Sequence, residues 1–185
     1  MAIDESRTFK PINIAVLTVS DTRTPETDTS GDILADRVTG AGHNLAARMI
    51  VKDDAALLAA QFEAWIDDPS VDAVVSTGGT GLTGRDVTPE ALGMITAARE
   101  IPGFGELFRQ VSVLEIGTSS LQSRALAGFA NSTLVCCLPG SPNACRTAWQ
   151  KILGEQLDSR TRPCNFVPHL KALPERPVAA CGPRS

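Results

Sequence analysis

The fold is decided by the stretch Val74-Val-Ser-Thr-Gly-Gly-Thr-Gly-Leu-Thr-Gly-Arg-Asp-Val-Thr-Pro-Glu90, in which an apolar run passes into four glycines. Glycine lets the backbone turn sharply and lets a ligand approach the amide groups closely. Thr88, Pro89 and Glu90 then suit the N-cap, the first position and the first turn of a helix. The stretch therefore predicts a buried strand, a glycine loop and a helix start, an arrangement that offers N–H groups to an anion.

Apolar runs alternate with helical patterns on both sides of this glycine loop. Strands are predicted over Ile12–Val19, Leu45–Val51, Val71–Thr77 and Thr133–Leu138, while Val111–Ile116 suits either a strand or the end of a helix. Runs that are almost wholly apolar are typical of parallel strands covered on both faces. The sequence therefore predicts a single α/β domain, a three-layer doubly wound fold with a mostly parallel sheet.

The domain is predicted to span residues 1–170, and the prolines within residues 171–185 favour a disordered tail. One helix is expected to start with Thr29 or Ser30 as its cap and to end near Thr39. Asp54 is the expected N-cap of a second helix, and Asn143–Leu157 is predicted to form a third.

Composition excludes several functional classes. The 185 residues carry a net charge of −4, which gives no electrostatic reason to expect nucleic acid binding. The apolar run Ile12–Val19 is too short to span a membrane, and no signal-peptide cleavage pattern follows it, so we expect a cytoplasmic protein. Five cysteines without a C-x-x-C pair are expected to be reduced and mostly buried, and two histidines do not favour a His-rich metal site.

Two further loops follow the pattern of the glycine loop. After the strand Thr133–Leu138, Pro139-Gly140 predicts a turn, Ser141 a helix cap and Pro142 the first helical residue. The segment Leu17-Thr-Val-Ser-Asp21 ends the first strand in hydroxyls and a carboxylate. Because ligands of open parallel sheets bind beyond the carboxyl ends of the strands, we expect the three loops to meet at one site.

The glycine loop also matches G-x-G-x-x-G formally, over Gly79-Thr-Gly-Leu-Thr-Gly84. In a dinucleotide-binding fold this motif opens the helix itself in the first βαβ unit, whereas here Thr88-Pro89 starts the helix four residues later. We therefore do not expect a Rossmann-type cofactor site.

These motifs together resemble the MoaB/MogA family, which includes the gephyrin G domain and its plant counterpart. The resemblance rests on Thr77-Gly-Gly-Thr-Gly81 followed by Arg85-Asp-Val-Thr-Pro-Glu90, and it covers about residues 12–169. Further matching segments, in chain order, are Leu17–Asp21 with Ser30-Gly31, Ile101–Glu106, Ser123-Arg124 and Leu138–Pro142. The ending Gln156–Phe166 looks like the MoaB branch, and Asp32 stands where active members often have proline.

The resemblance implies a molybdopterin adenylyltransferase, which converts Mg-ATP and molybdopterin into adenylyl-molybdopterin and pyrophosphate. Asp86 matches the catalytic aspartate of the family motif and Asp53 a second one, and both carboxylates suit Mg²⁺. The other residues implied to contact molybdopterin or nucleotide are Thr18, Ser20, Asp21, Ser30, Gly31, Thr77, Gly78, Gly79, Thr80, Gly81, Arg85, Thr88, Pro89, Glu90, Ser123, Arg124, Pro139, Gly140, Ser141 and Pro142.

The family also implies partners. A homo-oligomer is expected, a trimer or, in the MoaB branch, a hexamer, together with other proteins of molybdenum cofactor biosynthesis. The nucleophile would be a terminal phosphate already ionised at neutral pH, so no general base is required, and Lys52, Arg85 and Arg124 could offset negative charge. The alternative is a non-catalytic oligomer that binds molybdopterin and carries or protects it.

Overall fold

The fold is built on a six-stranded sheet in the order β3-β2-β4-β7-β6-β5. The structure is a computed structural model, which describes residues 2–171. The strands are β1 (Ala2–Ile3), β2 (Asn13–Val19), β3 (Asn44–Val51), β4 (Ala73–Thr77), β5 (Arg99–Glu100), β6 (Leu126–Ala130), β7 (Thr133–Leu138) and β8 (Thr161–Arg162). The α-helices are α1 (Thr29–Gly40), α2 (Ala55–Asp67), α3 (Thr88–Gly93), α4 (Pro102–Ile116), α5 (Pro142–Ala148) and α6 (Gly154–Gln156).

Parallel pairing dominates the centre of the sheet. Strand β2 pairs in parallel with β3 and β4, and β4 pairs in parallel with β7. The edge formed by β6 and β5 is antiparallel, and β1 and β8 form a separate two-stranded sheet. Asn131 and Ser132, both with positive φ, make the tight turn between β6 and β7. The prediction of a mostly parallel α/β sheet is confirmed.

Two apolar clusters lie on opposite faces of the sheet. Along β2, Ile14 and Val16 belong to the cluster that includes residues of α1, α4 and α5. Ala15 and Leu17, which alternate with them, belong to the cluster that includes residues of α2 and α3. All four side chains are fully buried, as expected for a strand covered on both faces. The three-layer prediction is therefore confirmed.

The four predicted strands correspond to β2, β3, β4 and β7, each displaced by no more than two residues at an end. The ambiguous run Val111–Ile116 is the end of α4. The predicted helix Asn143–Leu157 is confirmed as an unbroken helical segment, in which a π-helical turn at Trp149–Leu153 joins α5 to α6. A 3₁₀ segment, Gly117–Gln122, follows α4 directly.

The helix caps differ in part from expectation. Asp28, not Thr29 or Ser30, caps α1, since its carboxylate accepts a hydrogen bond from the Gly31 amide. Thr88 is not a cap either, because α3 begins at that residue and Val87 precedes it without a side-chain hydrogen bond. Asp54 and Ser141 do cap α2 and α5 as predicted.

The remaining expectations concern cysteines, membranes and the tail. Cys136, Cys137 and Cys145 are buried free thiols, whereas Cys164 is free but exposed. Within residues 2–171 we find no helix with the length and apolar character needed to cross a bilayer. The tail predicted over residues 171–185 lies, except for Lys171, outside the residues that the structure describes.

Candidate functional site

The three predicted loops border one cavity of about 590 Å³. Because β2, β4 and β7 are neighbours in the sheet, their carboxyl ends deliver the loops to the same edge. The turn after β7 touches the glycine loop after β4, since a Cβ on Gly140 would lie 3.3 Å from the Gly78 Cα. The predicted convergence is therefore confirmed.

Gly78 and Gly79 are required where they stand. Both have positive φ, at 108° and 64°. A Cβ on Gly78 would lie 2.2 Å from the carbonyl oxygen of Val19, and one on Gly79 would lie 2.3 Å from the Thr88 hydroxyl oxygen. Any residue with a Cβ would be strained at either position and would also clash with its neighbours. The loop thus brings bare backbone to the cavity wall.

Thr88 supports this loop from behind. Its hydroxyl donates to the carbonyl of Gly78 at 2.9 Å, and its amide donates to the carbonyl of Gly79 at 3.0 Å. The residue is fully buried and is absent from the cavity wall. Its role in the structure is to hold the glycine loop in shape.

Arg124 fastens the other half of the loop. Its guanidinium donates to the carbonyls of Gly81 at 2.7 Å and Asp86 at 2.6 Å, and it forms an ion pair with Glu90. The hydrogen bond from Arg124 to Glu90 is the main reason that the pKa of the Glu90 carboxyl is lowered. The backbone amide of Arg124 also donates to Thr80 at 3.0 Å. The guanidinium is thus committed to the protein and does not line the cavity.

The loop after β2 is organised by a buried carboxylate, Asp28, which is 1% exposed. It accepts hydrogen bonds from the Thr18 hydroxyl at 2.8 Å and from the Arg48 guanidinium at 2.8 Å. Arg48 also forms an ion pair with Asp32 at 2.6 Å. Ser30 donates to the carbonyl of Gly140 at 2.8 Å, which ties this loop to the turn after β7.

Asp86 lies on the wall with one carboxylate oxygen already occupied. That oxygen accepts hydrogen bonds from the amide and the hydroxyl of Thr83, at 2.8 and 2.7 Å. The Thr83 hydroxyl is the main reason that the pKa of Asp86 is lowered. The side chain is therefore ionised at neutral pH and fixed in orientation.

Asp53, unlike Asp86, has a raised pKa. Burial raises its pKa, and the negative charges of Asp21 and, more weakly, Asp86 raise it further, while Arg85 opposes them. Arg85 is engaged mainly with Asp21 in an exposed ion pair, which lowers the pKa of Asp21. Carboxylates held close together in this way favour a cation between them.

Two carboxylates of the cavity wall, Asp53 and Asp86, suit a metal ion that needs few protein ligands. Within residues 2–171, no group of three or more His, Cys, Asp or Glu is arranged to hold a metal ion. Mg²⁺ characteristically binds one or two carboxylates and completes its shell with water and substrate phosphates. Asp53 and Asp86 fit that limited role.

Fifteen of the predicted site residues line the cavity, and seven lie outside its wall. Those on the wall are Thr18, Ser20, Ser30, Asp53, Thr77, Gly78, Gly79, Thr80, Gly81, Arg85, Asp86, Ser123, Pro139, Gly140 and Ser141. Those outside it are Asp21, Gly31, Thr88, Pro89, Glu90, Arg124 and Pro142. Lys52 lines a second, adjacent cavity that shares Ser20 and Arg23 with the first.

Sequence reasoning missed the wall formed by helices. Its residues come from α4, the 3₁₀ segment and α5, and they are Phe108, Ser112, Glu115, Ile116, Ser119, Ser120, Gln122, Asn143, Ala144 and Thr147. Val19, Arg23 and Asp28 were also missed. The available signal was the hydroxyl-rich run Gly117-Thr-Ser-Ser-Leu-Gln122, which directly precedes the predicted Ser123-Arg124.

Comparison with known proteins identifies the family of the chain. A family profile described as "Probable molybdopterin binding domain" matches residues 15–159. The chain is 55% identical over 166 residues to molybdenum cofactor biosynthesis protein B of Escherichia coli K12, covering 90% of this chain and 97% of that protein. It is 42% identical to the protein of the same name from Bacillus subtilis, over 85% of this chain and 94% of the relative. A crystal structure of a molybdenum cofactor biosynthesis protein B superposes with a TM-score of 0.78 at 42% identity, covering 82% of this chain and 94% of the other.

Proposed function

This chain belongs to the family of probable molybdopterin binding domains, and from that premise we propose that it is a molybdopterin adenylyltransferase of molybdenum cofactor biosynthesis. The family and its relatives support a role in that biosynthesis. The observation that carries the finer proposal is the placement of Asp53 and Asp86 on the wall of a cavity that also presents the glycine loop. The substrates are Mg-ATP and molybdopterin, and the products are adenylyl-molybdopterin and pyrophosphate.

The glycine loop would bind the phosphates. Within residues 2–171, the amides of Gly79 and Thr80 donate to no protein acceptor, whereas the Gly78 amide donates to Leu138. Free amides beside a glycine backbone can approach phosphate oxygens closely. Holding both substrates in one cavity supplies the proximity on which phosphoryl and nucleotidyl transfer chiefly depend.

The transfer itself needs little proton chemistry from the chain. An oxygen of the molybdopterin phosphate forms a bond to the α-phosphorus of ATP, and the bond from that phosphorus to the bridging oxygen breaks as pyrophosphate leaves. Asp53 and Asp86 would hold Mg²⁺, which when bound would offset the charge of the phosphates. Thr83 keeps Asp86 ionised and oriented for this task.

A second candidate function is a non-catalytic oligomer that binds molybdopterin. The observation that favours it is that one carboxylate oxygen of Asp86 already accepts two hydrogen bonds from Thr83, which leaves that oxygen less available to a metal ion. Both candidates use the same cavity, and they differ only in turnover.

Pyrophosphate release separates the two candidates. Purified protein is incubated anaerobically with molybdopterin and Mg-ATP, and pyrophosphate is measured against reactions that lack either substrate. Release that requires both substrates supports the adenylyltransferase. Tight molybdopterin binding without release would reject it in favour of the binding protein.

A further inference from the structure

Glu115 is a charged group of the cavity wall that has no part in the mechanism above. The wall formed by α4, the 3₁₀ segment and α5 carries hydroxyl, amide and apolar side chains, and Glu115 is its single charge among the described residues. The glycine loop and both catalytic aspartates come from other elements, at the carboxyl ends of the strands and in the loops after them. The cavity is thus divided between a wall suited to phosphates and metal and a wall suited to an uncharged organic group.

Glu115 is held in position by two uncharged donors of α5. The Thr147 hydroxyl lies 2.9 and 2.8 Å from its two carboxylate oxygens, and the Asn143 amide nitrogen lies 2.7 Å from one of them. No ion pair in the described part of the chain includes Glu115. By contrast, Asp28 in the same cavity is paired with Arg48.

This arrangement leaves the carboxylate able to bind a ligand. An ionised carboxylate has about four lone-pair sites, and two protein donors leave about two of them open. Its charge is not neutralised by the protein, and charge-assisted hydrogen bonds are about twice as strong as neutral ones. The carboxylate therefore suits a ligand with two adjacent N–H donors.

A 2-amino-4-oxopterin carries such a pair. Its ring N3–H and its 2-amino group point in the same direction and can donate in parallel to one carboxylate. Adenine presents an amino group beside a ring nitrogen acceptor, which a carboxylate would repel. Phe108, Ile116 and Ala144, on the same wall, offer apolar contact to a flat ring.

We propose that Glu115, positioned by Thr147 and Asn143, is a specificity-determining residue that binds the N3–H and 2-amino edge of the pterin and discriminates against adenine. This inference rests on the proposed function, because it takes molybdopterin as a ligand of the cavity. It also assigns orientation: the pterin lies against α4 and α5, and its phosphate points to the glycine loop.

The test compares Glu115→Gln with Glu106→Gln in the full chain. Glu106 is an exposed residue of the same helix that does not line the cavity, so its variant removes the same charge elsewhere. Molybdopterin affinity is measured anaerobically by pterin fluorescence, and ATP affinity by calorimetry. Pterin and lumazine, which has oxygen in place of the 2-amino group, are then compared as competitors of bound molybdopterin.

Glu115→Gln is expected to weaken molybdopterin binding about tenfold to hundredfold, the range for a lost hydrogen bond to a charged group. ATP affinity should stay unchanged, the preference for pterin over lumazine should disappear, and Glu106→Gln should behave as wild type. A residue that only ties α4 to α5 would lower thermal stability without this selectivity.

Three outcomes would overturn the inference. Unchanged molybdopterin affinity in Glu115→Gln would reject the role of Glu115 while leaving the proposed function intact. Equal losses for molybdopterin and ATP would show that Glu115 maintains the cavity and does not select the pterin. Failure of the wild-type protein to bind molybdopterin would instead reject the proposed function, and the inference with it.

Discussion

Replacement of Asp53 by asparagine should make the protein a poorer enzyme without making it less stable. The substitution keeps the volume of the side chain and removes one negative charge. In the folded protein the pKa of Asp53 is raised, first by burial and then by Asp21 and Asp86. A carboxyl whose folded pKa is raised contributes most stability at low pH, and that contribution is lost as pH rises through the raised pKa.

At pH 7 without divalent cations, Asp53→Asn should therefore unfold at the same or a slightly higher urea concentration than wild type. The difference in stability between the variant and the wild type should shrink as pH falls towards 3.8, the ordinary pKa of an aspartate. Asp54→Asn is the matched control, since asparagine is also a good N-cap and the same charge is removed one residue away. The control should change neither stability nor turnover appreciably.

The expected loss of adenylylation rate in Asp53→Asn follows from the electrostatic interaction that the substitution removes. Two unit charges about 4 Å apart interact by about 4 kcal/mol at an effective dielectric constant near 20, and each 1.4 kcal/mol is tenfold in rate. Asp53 is partly exposed, which reduces this upper figure. We expect single-turnover adenylylation to fall about a hundredfold to a thousandfold, the range for losing one key electrostatic contact. Wild-type turnover with unchanged Mg²⁺ dependence would refute the catalytic role, and a marked loss of stability without metal would show that Asp53 is structural.

Three further predictions address the loop, the pH response and assembly. Gly79→Ala should destabilise by at least about 1–2 kcal/mol in urea unfolding, because its φ is positive and its Cβ would meet Thr88. Gly84→Ala is the control, because nothing lies within 4 Å of its Cβ, and it should change stability by less than about 0.5 kcal/mol. Equal losses of stability in the two variants would refute the predicted clash between a Cβ at residue 79 and Thr88. Burial lowers the pKa of His43, and the charge of Asp158 partly offsets this effect. The stability of the folded protein should therefore decline as pH falls below 6.5, the ordinary pKa of histidine, and His43→Gln should reduce that decline. A wild-type stability that stays constant from pH 7 to 5 would contradict this prediction. Light scattering should show an oligomer, a trimer or a hexamer, and a monomer at working concentration would reject the proposed assembly.

The central strands could be predicted because their physical requirement is local. A strand covered on both faces is mostly apolar, and the runs Ala73–Val75 and Leu134–Leu138 are apolar at every position. The antiparallel edge could not be predicted in the same way. Strand β6 contains Gly128 and no β-branched residue, and β5 has only two residues, so neither gives a clear strand signal.

The site was predictable where one loop follows one strand. Glycines, prolines and hydroxyls at the ends of β2, β4 and β7 mark chain reversals that any parallel sheet brings together. The cap of α1 was misassigned because Asp28, Thr29 and Ser30 are all good N-cap residues in succession. The wall with Glu115 was missed because its contact with Thr147 joins residues 32 positions apart and depends on how two helices pack.

The most direct test of the account is to identify the product made by the wild-type protein and by Asp86→Asn. Both are incubated anaerobically with molybdopterin and saturating Mg-ATP, and adenylyl-molybdopterin is quantified by mass spectrometry. We predict that the wild type forms it in equal amount to pyrophosphate, while Asp86→Asn binds molybdopterin nearly as well but forms the product at least about a hundredfold more slowly. Bound but unmodified molybdopterin in the wild-type reaction, or equal rates for the two proteins, would contradict the catalytic account.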